Sequence, residues 1–416
     1  MNSRVWHPFT PVRARREPLP VRRAKGARLT LAAGRVLIDG ISSWWVNLHG
    51  HAHPSLARAI AAQARKLEQV IFAGFTHEPA ETLADRLCRI LPGPMERVFF
   101  SDDGSTSVEV AIKIALQYWH NQGRPRRSLV ALDGAYHGDT FGAMSAGARG
   151  IFSAPFDRHL FRVERLPFPS PDKLAAALAK FRRLLAGDRI AAFIYEPLVQ
   201  GSAGMRMYPP ASLAALLELA RTAGVPCIAD EVMTGFGRTG TLFASQQVRP
   251  QPDLVCLSKG LTGGFLPMGL TAVSRRIFRA FDSAEPDRAF WHGHSYTANP
   301  LACAAALASL DLLLAKESLE DRRRVAATFA GWARKLSAHP AASNPRHHGC
   351  IFAFEVRASR GGYLSPVRDC LEKAFLERGV LLRPLGNTVY VLPPYAITDG
   401  ELGRIWRAIE AVLSEI

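Results

Sequence analysis

Short apolar runs alternate with amphipathic helical patterns along this 416-residue chain, as far as about residue 315. Such alternation is typical of βαβ units and predicts an α/β fold with a mainly parallel sheet. The apolar runs are almost continuous, which indicates that helices cover both faces of the sheet. The predicted strands are 97–101, 128–132, 191–196, 225–230, 254–258 and 269–273. The predicted helices include 54–70, 78–91, 105–119, 210–223 and 300–315.

The pattern changes after residue 315. A helix from about Leu319, a strand at 350–356, a helix at 366–379, two short strands around Leu381 and Val389, and a last helix from Thr398 are predicted. We therefore expect a large domain at 49–315 and a smaller α/β domain at 316–416, with the N-terminal segment 1–48 packing against the smaller one. Neither a repeat nor a low-complexity linker separates them, so we expect the parts to pack closely.

Composition excludes several classes of protein. No apolar run reaches the roughly 18 to 20 residues of a membrane helix, and the Arg-rich start lacks a signal-peptide pattern. Six scattered cysteines without CxxC spacing indicate reduced thiols, and hence a cytoplasmic protein. The net charge of +16 could attract nucleic acid, but the arginines are spread along the chain without interleaved aromatic residues. We expect neither a membrane nor a nucleic-acid partner.

Two motifs have a functional and an ordinary interpretation. Gly235, Gly237 and Gly240 have GxGxxG spacing, which cradles a dinucleotide when it joins a strand to a helix. Here they come five residues after a predicted strand and precede no convincing helix, which favours a tight loop. The histidines of HGHAH, at 49, 51 and 53, lack a fourth ligand and a supporting carboxylate nearby in the sequence. Loop histidines are favoured over a metal site.

Three polar groups follow predicted strands, where open α/β sheets bind ligands. Gly104 and Ser105 begin a helix whose free amides can hold an anion. Asp230 ends a buried run and needs a cationic partner. Lys259 presents an amine before a glycine-rich loop. Pyridoxal 5'-phosphate satisfies all three groups, with its phosphate, its pyridinium nitrogen and its aldehyde.

The run DEVMTGFGRTG, followed 28 or so residues later by the lysine of SKG, resembles the class III, fold-type I pyridoxal-phosphate aminotransferases over nearly the whole chain. The resemblance implies a large domain with a mainly parallel seven-stranded sheet between helices, plus a smaller α/β domain. Further motifs are similar to those of the members that aminate 8-amino-7-oxononanoate in biotin synthesis with S-adenosyl-L-methionine as donor. These motifs are WHPFT, DGISSWW, GFTHEP, YHGDTFGAMS, HSYTANPLACAAA and RPLGNTVYVLPPY.

The resemblance also assigns cofactor residues. Lys259 would carry the cofactor and move a proton, Asp230 would keep the ring nitrogen protonated, and Tyr136 would stack on the ring. Val232 would cover the other face if the strand continues beyond Asp230. The remaining assigned residues are Gly104, Ser105, His294 and Ser295. In the family the position of Ser295 completes the phosphate site of the neighbouring subunit, which implies a homodimer with shared active sites.

The substrates need a carboxylate clasp and a long apolar wall. Arg383 fits the carboxylate, because a guanidinium binds it through two hydrogen bonds. In a regular strand Trp44 and Trp45 would face opposite ways, one lining the substrate channel and the other packing in the core. The full set of predicted substrate residues is Phe9, Trp44, Trp45, Tyr136, Asp139, Lys259, Gly293, Arg383 and Tyr390.

Two departures from related sequences bear on the amino donor. Relatives that use ornithine or 4-aminobutyrate carry a glutamate where EPLVQGSAG has Ser202, which argues against those donors. Phe9 stands where tyrosine is frequent, so lysine remains an alternative donor to S-adenosyl-L-methionine. Two other functions stay open: an ω-amino acid:pyruvate aminotransferase, and a basic binding protein that keeps the fold without catalysis.

Overall fold

A seven-stranded sheet forms the centre of the computed structural model, which describes residues 4–11, 13, 17–357 and 365–416. Its strands are, in spatial order, Met95–Ser101, Gly269–Ser274, Leu254–Leu257, Cys227–Asp230, Ile190–Tyr195, Ser128–Leu132 and Val163–Leu166. Gly269–Ser274 is antiparallel to both neighbours, and the other adjacent strands are parallel. The predicted mainly parallel sheet is therefore confirmed.

The edge strand Val163–Leu166 was not predicted. Only its two end residues are buried, and Glu164 and Arg165 lie between them. The strand therefore lacks the continuous apolar run that marks the six predicted strands. The strand is recognised only by its parallel pairing with Ser128–Leu132, which no local sequence pattern indicates.

Helices cover both faces of the sheet. The predicted helix at 54–70 ends earlier, at Ala64, because the Gln63 carbonyl accepts the amides of Lys66 and Leu67 and closes a turn. Asp103 and Asn299 start two others by accepting backbone amides with their side chains. The helices of this part are Pro54–Ala64, Glu78–Ile90, Gly104–Asn121, Phe141–Ala146, Leu174–Leu185, Pro210–Thr222, Arg275–Phe278 and Pro300–Leu314.

The C-terminal part forms a second α/β layer. The antiparallel strands Ala342–His348, Ile351–Val356 and Thr388–Val391 form its sheet. The helices are Lys316–Leu336, Val367–Glu377 and Asp399–Ser414. The strand Ala342–His348 was not predicted, because ASNPRHH is polar and contains a proline.

The N-terminal strands Val21–Lys25, Arg28–Leu31 and Val36–Asp39 form a sheet of their own, which Val380–Leu381 extends by parallel pairing with Val36–Asp39. This contact joins the start of the chain to its C-terminal part. A small antiparallel pair, Val199–Gln200 with Arg206–Met207, lies near the end of the central sheet. The domain boundaries at 48/49 and 315/316 remain a prediction. Within the described ranges, the helices are too short or too polar to cross a bilayer.

Candidate active site

Lys259 lies where two cavities meet. The first, of about 540 Å³, extends past Asp230, His137 and the start of the helix Gly104–Asn121. The second, of about 410 Å³, extends past Phe9 and Trp44. The residues that line both are Trp45, Val46, Tyr136, Ser202 and Lys259. A group held by Lys259 is therefore reachable from both cavities.

The Lys259 amine is brought there by the buried strand Leu254–Leu257. Ser258 fixes the next loop by donating its hydroxyl to the Met268 carbonyl at 2.7 Å. Burial lowers the pKa of Lys259 from its ordinary value, and the carboxylates of Asp230 and Glu196 act against that lowering. A partly neutral amine is what a nucleophile and proton carrier needs.

Asp230 ends the strand Cys227–Asp230 and is only 5% exposed. One carboxylate oxygen accepts a hydrogen bond from His137 Nδ1 at 2.7 Å, and the other accepts the Val232 amide at 3.1 Å. Among the described residues, no lysine or arginine forms an ion pair with it. A protonated ring nitrogen in the first cavity would supply the cation that this buried carboxylate needs.

His137 was missed by the sequence analysis. Its ring is buried, and its Nε2 has no hydrogen-bond partner among the described residues. The available signal was its place directly after Tyr136 in the YHG run. Because it donates to Asp230, it holds the carboxylate in one orientation.

The start of the helix Gly104–Asn121 forms an anion cradle. Asp103 caps the helix by accepting the Thr106 amide at 2.8 Å, which leaves the first-turn amides of Gly104 and Ser105 without helical acceptors. A Cβ at Gly104 would lie 2.8 Å from Val232 Cγ1. A side chain here would collide with the cavity wall, so glycine keeps the cradle open. These residues fit the phosphate of pyridoxal phosphate.

Val232 lines the first cavity, but by a different route from the predicted one. The strand ends at Asp230 instead of continuing, because the Asp230 side chain accepts the Val232 amide and turns the chain. Val232 therefore reaches the cavity from a turn and not from the same face of an extended strand.

Tyr136 is held by two carboxylates. Glu196, also missed by the sequence analysis, accepts the Tyr136 amide at 3.0 Å and the Gly201 amide at 2.9 Å. Burial raises the pKa of Glu196 to about 7. Burial also raises the pKa of the Tyr136 hydroxyl, as does the hydrogen bond with the exposed Asp139. Asp139 lines neither cavity and reaches the site through Tyr136.

Trp44 and Trp45 do not lie in a regular strand, which was the geometry assumed in the prediction that they face opposite ways. Residues Ser42 to Trp45 form a left-handed turn, with φ values of 51°, 45°, 77° and 75°. Left-handed backbone costs about 1–2 kcal/mol for each residue that is not glycine. Both indoles line the second cavity as a result, although Trp45 is 5% exposed and also packs in the core. Strain of this kind persists where the surroundings impose it.

Tyr390 supports Trp45 from behind. Its hydroxyl accepts a hydrogen bond from Trp45 Nε1 at 3.1 Å, and the two rings are 6.0 Å apart, edge to face. Tyr390 is 1% exposed and lines neither cavity. The structure thus brings it to the site through Trp45 and not as a direct substrate contact.

The second cavity has an aromatic wall, and Arg383 packs on one of its tryptophans without lining either cavity. The Phe9 ring lies 5.3 Å from Trp44 and 5.8 Å from Phe152, edge to face in both pairs. The Arg383 guanidinium lies 4.4 Å from the centre of the Trp44 ring. No carboxylate of the described residues pairs with Arg383. The cavity itself therefore offers an apolar and aromatic surface, and Arg383 offers a positive charge beside Trp44.

Gly293, His294 and Ser295 line neither cavity of this chain. Gly293 and Ser295 are exposed, and the Ser295 carbonyl accepts a hydrogen bond from Gln69 Nε2 at 2.7 Å. Within one chain the predicted cofactor and substrate roles of this loop are not assembled. A role for it requires a second chain.

The glycine-rich GFGRTG run is a tight loop. A Cβ at Gly237 would lie 2.7 Å from Arg322 Cδ, and Gly237 has a φ of +94°, so this position requires glycine. Its Arg238 is 1% exposed and donates to the carbonyls of Trp45, Asn47 and Pro393. The loop therefore packs beneath the Trp44–Trp45 turn.

The HGHAH histidines are used separately. His49 Nε2 lies 3.0 Å from the Ser309 hydroxyl, and His51 Nε2 lies 2.8 Å from Asp39 Oδ2. His53 caps the helix Pro54–Ala64 by accepting the Ser55 amide at 3.3 Å. Each histidine thus has its own structural contact.

The chain is similar to known aminotransferases. The model of the class-III aminotransferases matches residues 9–413. The chain is 55% identical to the adenosylmethionine-8-amino-7-oxononanoate aminotransferase of Synechococcus elongatus, covering 99% of each chain. The crystal structure of the enzyme of that name from Methanocaldococcus jannaschii has a TM-score of 0.91 at 31% identity, covering 98% of this chain and 97% of that one. A PLP-bound amine transaminase from an uncultivated Pseudomonas species has a TM-score of 0.93 at 31% identity, covering 100% and 99%.

Proposed function

The chain belongs to the class-III aminotransferases, and from this we propose that it transfers an amino group from S-adenosyl-L-methionine to 8-amino-7-oxononanoate, giving 7,8-diaminononanoate. It is a pyridoxal-phosphate-dependent enzyme of biotin synthesis. The observation that carries this proposal is the position of Lys259 between the cavity that contains Asp230 and the start of the helix Gly104–Asn121, and the aromatic cavity of Phe9 and Trp44.

When bound, pyridoxal phosphate supplies an aldehyde that takes up amines and a ring that accepts electron density. The amides of Gly104 and Ser105 would bind its phosphate, and Asp230 would hold the proton on its ring nitrogen. Lys259 Nζ would bind the cofactor's aldehyde and, when free, would carry a proton to and from the reacting carbons. Burial lowers the pKa of Lys259, which favours the neutral amine that accepts a proton.

The second cavity receives the two substrates in turn. Arg383 binds the carboxylate of 8-amino-7-oxononanoate, and the aromatic wall of Trp44 and Phe9 contacts its alkyl chain. The same wall stacks on the adenine of S-adenosyl-L-methionine. One cavity that serves donor and acceptor successively gives ping-pong kinetics.

The donor assignment depends on Phe9. Stacking on an aromatic side chain contributes roughly 1–3 kcal/mol per base, whereas a neutral hydrogen bond contributes about 0.5–1.5 kcal/mol. Phenylalanine keeps the stacking face and loses only the hydroxyl that tyrosine would offer. Ser202, which lines both cavities, offers no carboxylate to pair with a second amine of ornithine.

The choice of acceptor tests the proposed function. Purified holoenzyme with S-adenosyl-L-methionine should convert 8-amino-7-oxononanoate to 7,8-diaminononanoate, measured by mass spectrometry. Pyruvate in place of the keto-amine should give little alanine, because it has no alkyl chain for the aromatic wall of Phe9 and Trp44 to contact. Alanine formation from pyruvate without diaminononanoate would replace the proposal with an ω-amino acid:pyruvate aminotransferase.

We also propose that the enzyme is a cytoplasmic homodimer with shared active sites. Trp291 and Tyr296, 76% and 66% exposed, flank the 293–295 loop, and Gln69 joins this loop to a segment that exposes Ile71. Exposed apolar side chains at this density favour an interface. The six free cysteines are compatible with a reducing compartment.

Subunit mixing tests the shared site. Lys259→Ala chains lack the amine, and Ser295→Asp chains repel a phosphate in the neighbouring site. Refolding the two together should restore about a quarter of the wild-type activity, because half of the dimers are mixed and each has one intact site of two. Wild-type chains refolded with Lys259→Ala chains are the reference for the activity recovered after refolding. No recovery, with mixed dimers present by native mass spectrometry, would contradict a contribution of Ser295 to its neighbour.

A further inference from the structure

Asp39 lies beneath the Ser42–Trp45 turn and is fully buried. Its Oδ1 accepts the amides of Ile41 at 3.2 Å and Ser43 at 3.0 Å. Its Oδ2 accepts the Ser43 hydroxyl at 2.7 Å and faces His51 Nε2 at 2.8 Å. Both oxygens therefore bind groups that hold the turn, and neither Asp39 nor His51 lines a cavity.

The surroundings of His51 fix which of its nitrogens carries the proton. The Gly50 amide donates to Asn47 Oδ1 at 2.8 Å, so the Asn47 amide nitrogen points to His51 Nδ1, at 3.2 Å. That nitrogen of Asn47 is a donor, so His51 Nδ1 accepts and His51 Nε2 carries the hydrogen. His51 thus donates to Asp39 without needing a positive charge.

Both ends of the turn are also held by contacts that do not involve Asp39. Arg238 donates to the carbonyl of Trp45 at 3.3 Å and to that of Asn47 at 3.1 Å. The Ser42 hydroxyl donates to the Leu392 carbonyl at 2.8 Å. Four consecutive residues other than glycine would leave the left-handed region without such contacts at both ends.

We propose that Asp39 and His51 are positioning residues, which hold Trp44 and Trp45 as the wall where the substrates bind. They act through the left-handed turn and touch neither substrate nor cofactor. The effect on substrate binding rests on the proposed function, whereas the effect on the tryptophan geometry does not. The aspartate of the DGISSWW motif is thereby assigned a role in the active site.

Asp39→Asn tests this role with little change in volume. The substitution puts an NH2 group where one of the two acceptor oxygens was, and every group facing Asp39 can donate. The KM values for 8-amino-7-oxononanoate and S-adenosyl-L-methionine should rise about tenfold. The kcat should fall less, because Lys259 and Asp230 are unchanged, and the absorbance of the bound cofactor should remain. The near-ultraviolet circular dichroism of the aromatic residues should weaken without any substrate present.

His51 variants keep the proposal testable if Asp39→Asn does not fold. His51→Ala removes one donor and should shift both KM values and the near-ultraviolet signal in the same direction. His51→Gln keeps a donating amide and should recover most of both. Asp253→Asn is the matched control, since Asp253 accepts the Cys227 amide at the opposite end of the strands and pairs with Arg276. It should lower the melting temperature without changing KM.

The proposal would be overturned if Asp39→Asn kept the KM values and the near-ultraviolet dichroism of the wild type. It would also be overturned if Asp39→Asn and Asp253→Asn changed KM equally. If Asp39→Asn is not recovered, the same results for His51→Ala would overturn it. Failure of the proposed function would show differently: the wild-type enzyme would not form diaminononanoate. The dichroism comparison would still decide the role of Asp39 and His51.

Discussion

Lys259→Ala should abolish turnover and leave the fold intact. The variant loses the only amine that lines both cavities, and with it the covalent hold on the cofactor and the proton carrier. We expect activity at the limit of detection, since a general acid–base group alone contributes about 10²–10⁴-fold. Initial rates, cofactor absorbance and far-ultraviolet circular dichroism check the three parts of this prediction.

Lys316→Ala is the matched control, because its side chain is 83% exposed and pairs with Glu320 on the surface of a helix. Its activity and cofactor absorbance should equal those of the wild type. Transamination by Lys259→Ala at a rate near that of the wild type would show that the assignment of Lys259 is wrong.

Arg383→Ala should weaken the binding of 8-amino-7-oxononanoate by about 2–3 kcal/mol, the range for losing a charge-assisted hydrogen bond. This corresponds to a KM rise of roughly 30-fold to 150-fold. The guanidinium already lies over Trp44 without a carboxylate partner among the described residues, so its charge is available to a ligand. The cofactor absorbance should not change, because Arg383 does not line the cavity that contains Asp230.

Two further variants sharpen the Arg383 prediction. Arg383→Lys keeps the charge but not the two-pronged geometry, so its KM should lie between those of the wild type and Arg383→Ala. Arg334→Ala, on the exposed side of the helix Lys316–Leu336, should leave KM as it is. A KM for 8-amino-7-oxononanoate that Arg383→Ala leaves unchanged would contradict the assignment.

The groups at strand ends could be predicted because each has a local pattern. Asp230 and Lys259 follow continuous apolar runs, and parallel strands bring their carboxyl ends to one edge. Of the groups that were missed, Glu196 also follows a buried apolar strand, Ile190–Tyr195, whereas His137 has no such pattern. Glu196 contacts Tyr136, and His137 contacts Asp230. In both pairs more than fifty residues of sequence separate the partners, so no local pattern predicts the contact.

The Trp44–Trp45 turn shows why local rules failed at the substrate wall. A pair of tryptophans favours a strand, and nothing in four residues without glycine predicts left-handed backbone. The conformation comes from contacts with distant parts of the chain, Arg238 and Leu392 among them. Likewise, the resemblance assigns the 293–295 loop to the active site, but within one chain this loop lines neither cavity.

The half-reaction with each amino donor tests the central claim most directly. Holoenzyme is mixed with S-adenosyl-L-methionine or with L-lysine, in the absence of any acceptor, and the visible absorbance of the bound cofactor is followed. We predict that S-adenosyl-L-methionine removes this absorbance, and that 8-amino-7-oxononanoate, added to the aminated enzyme after the donor has been removed, restores the absorbance as it is converted to diaminononanoate. L-lysine should leave the absorbance unchanged. Loss of absorbance with L-lysine but not with S-adenosyl-L-methionine would contradict the donor assignment.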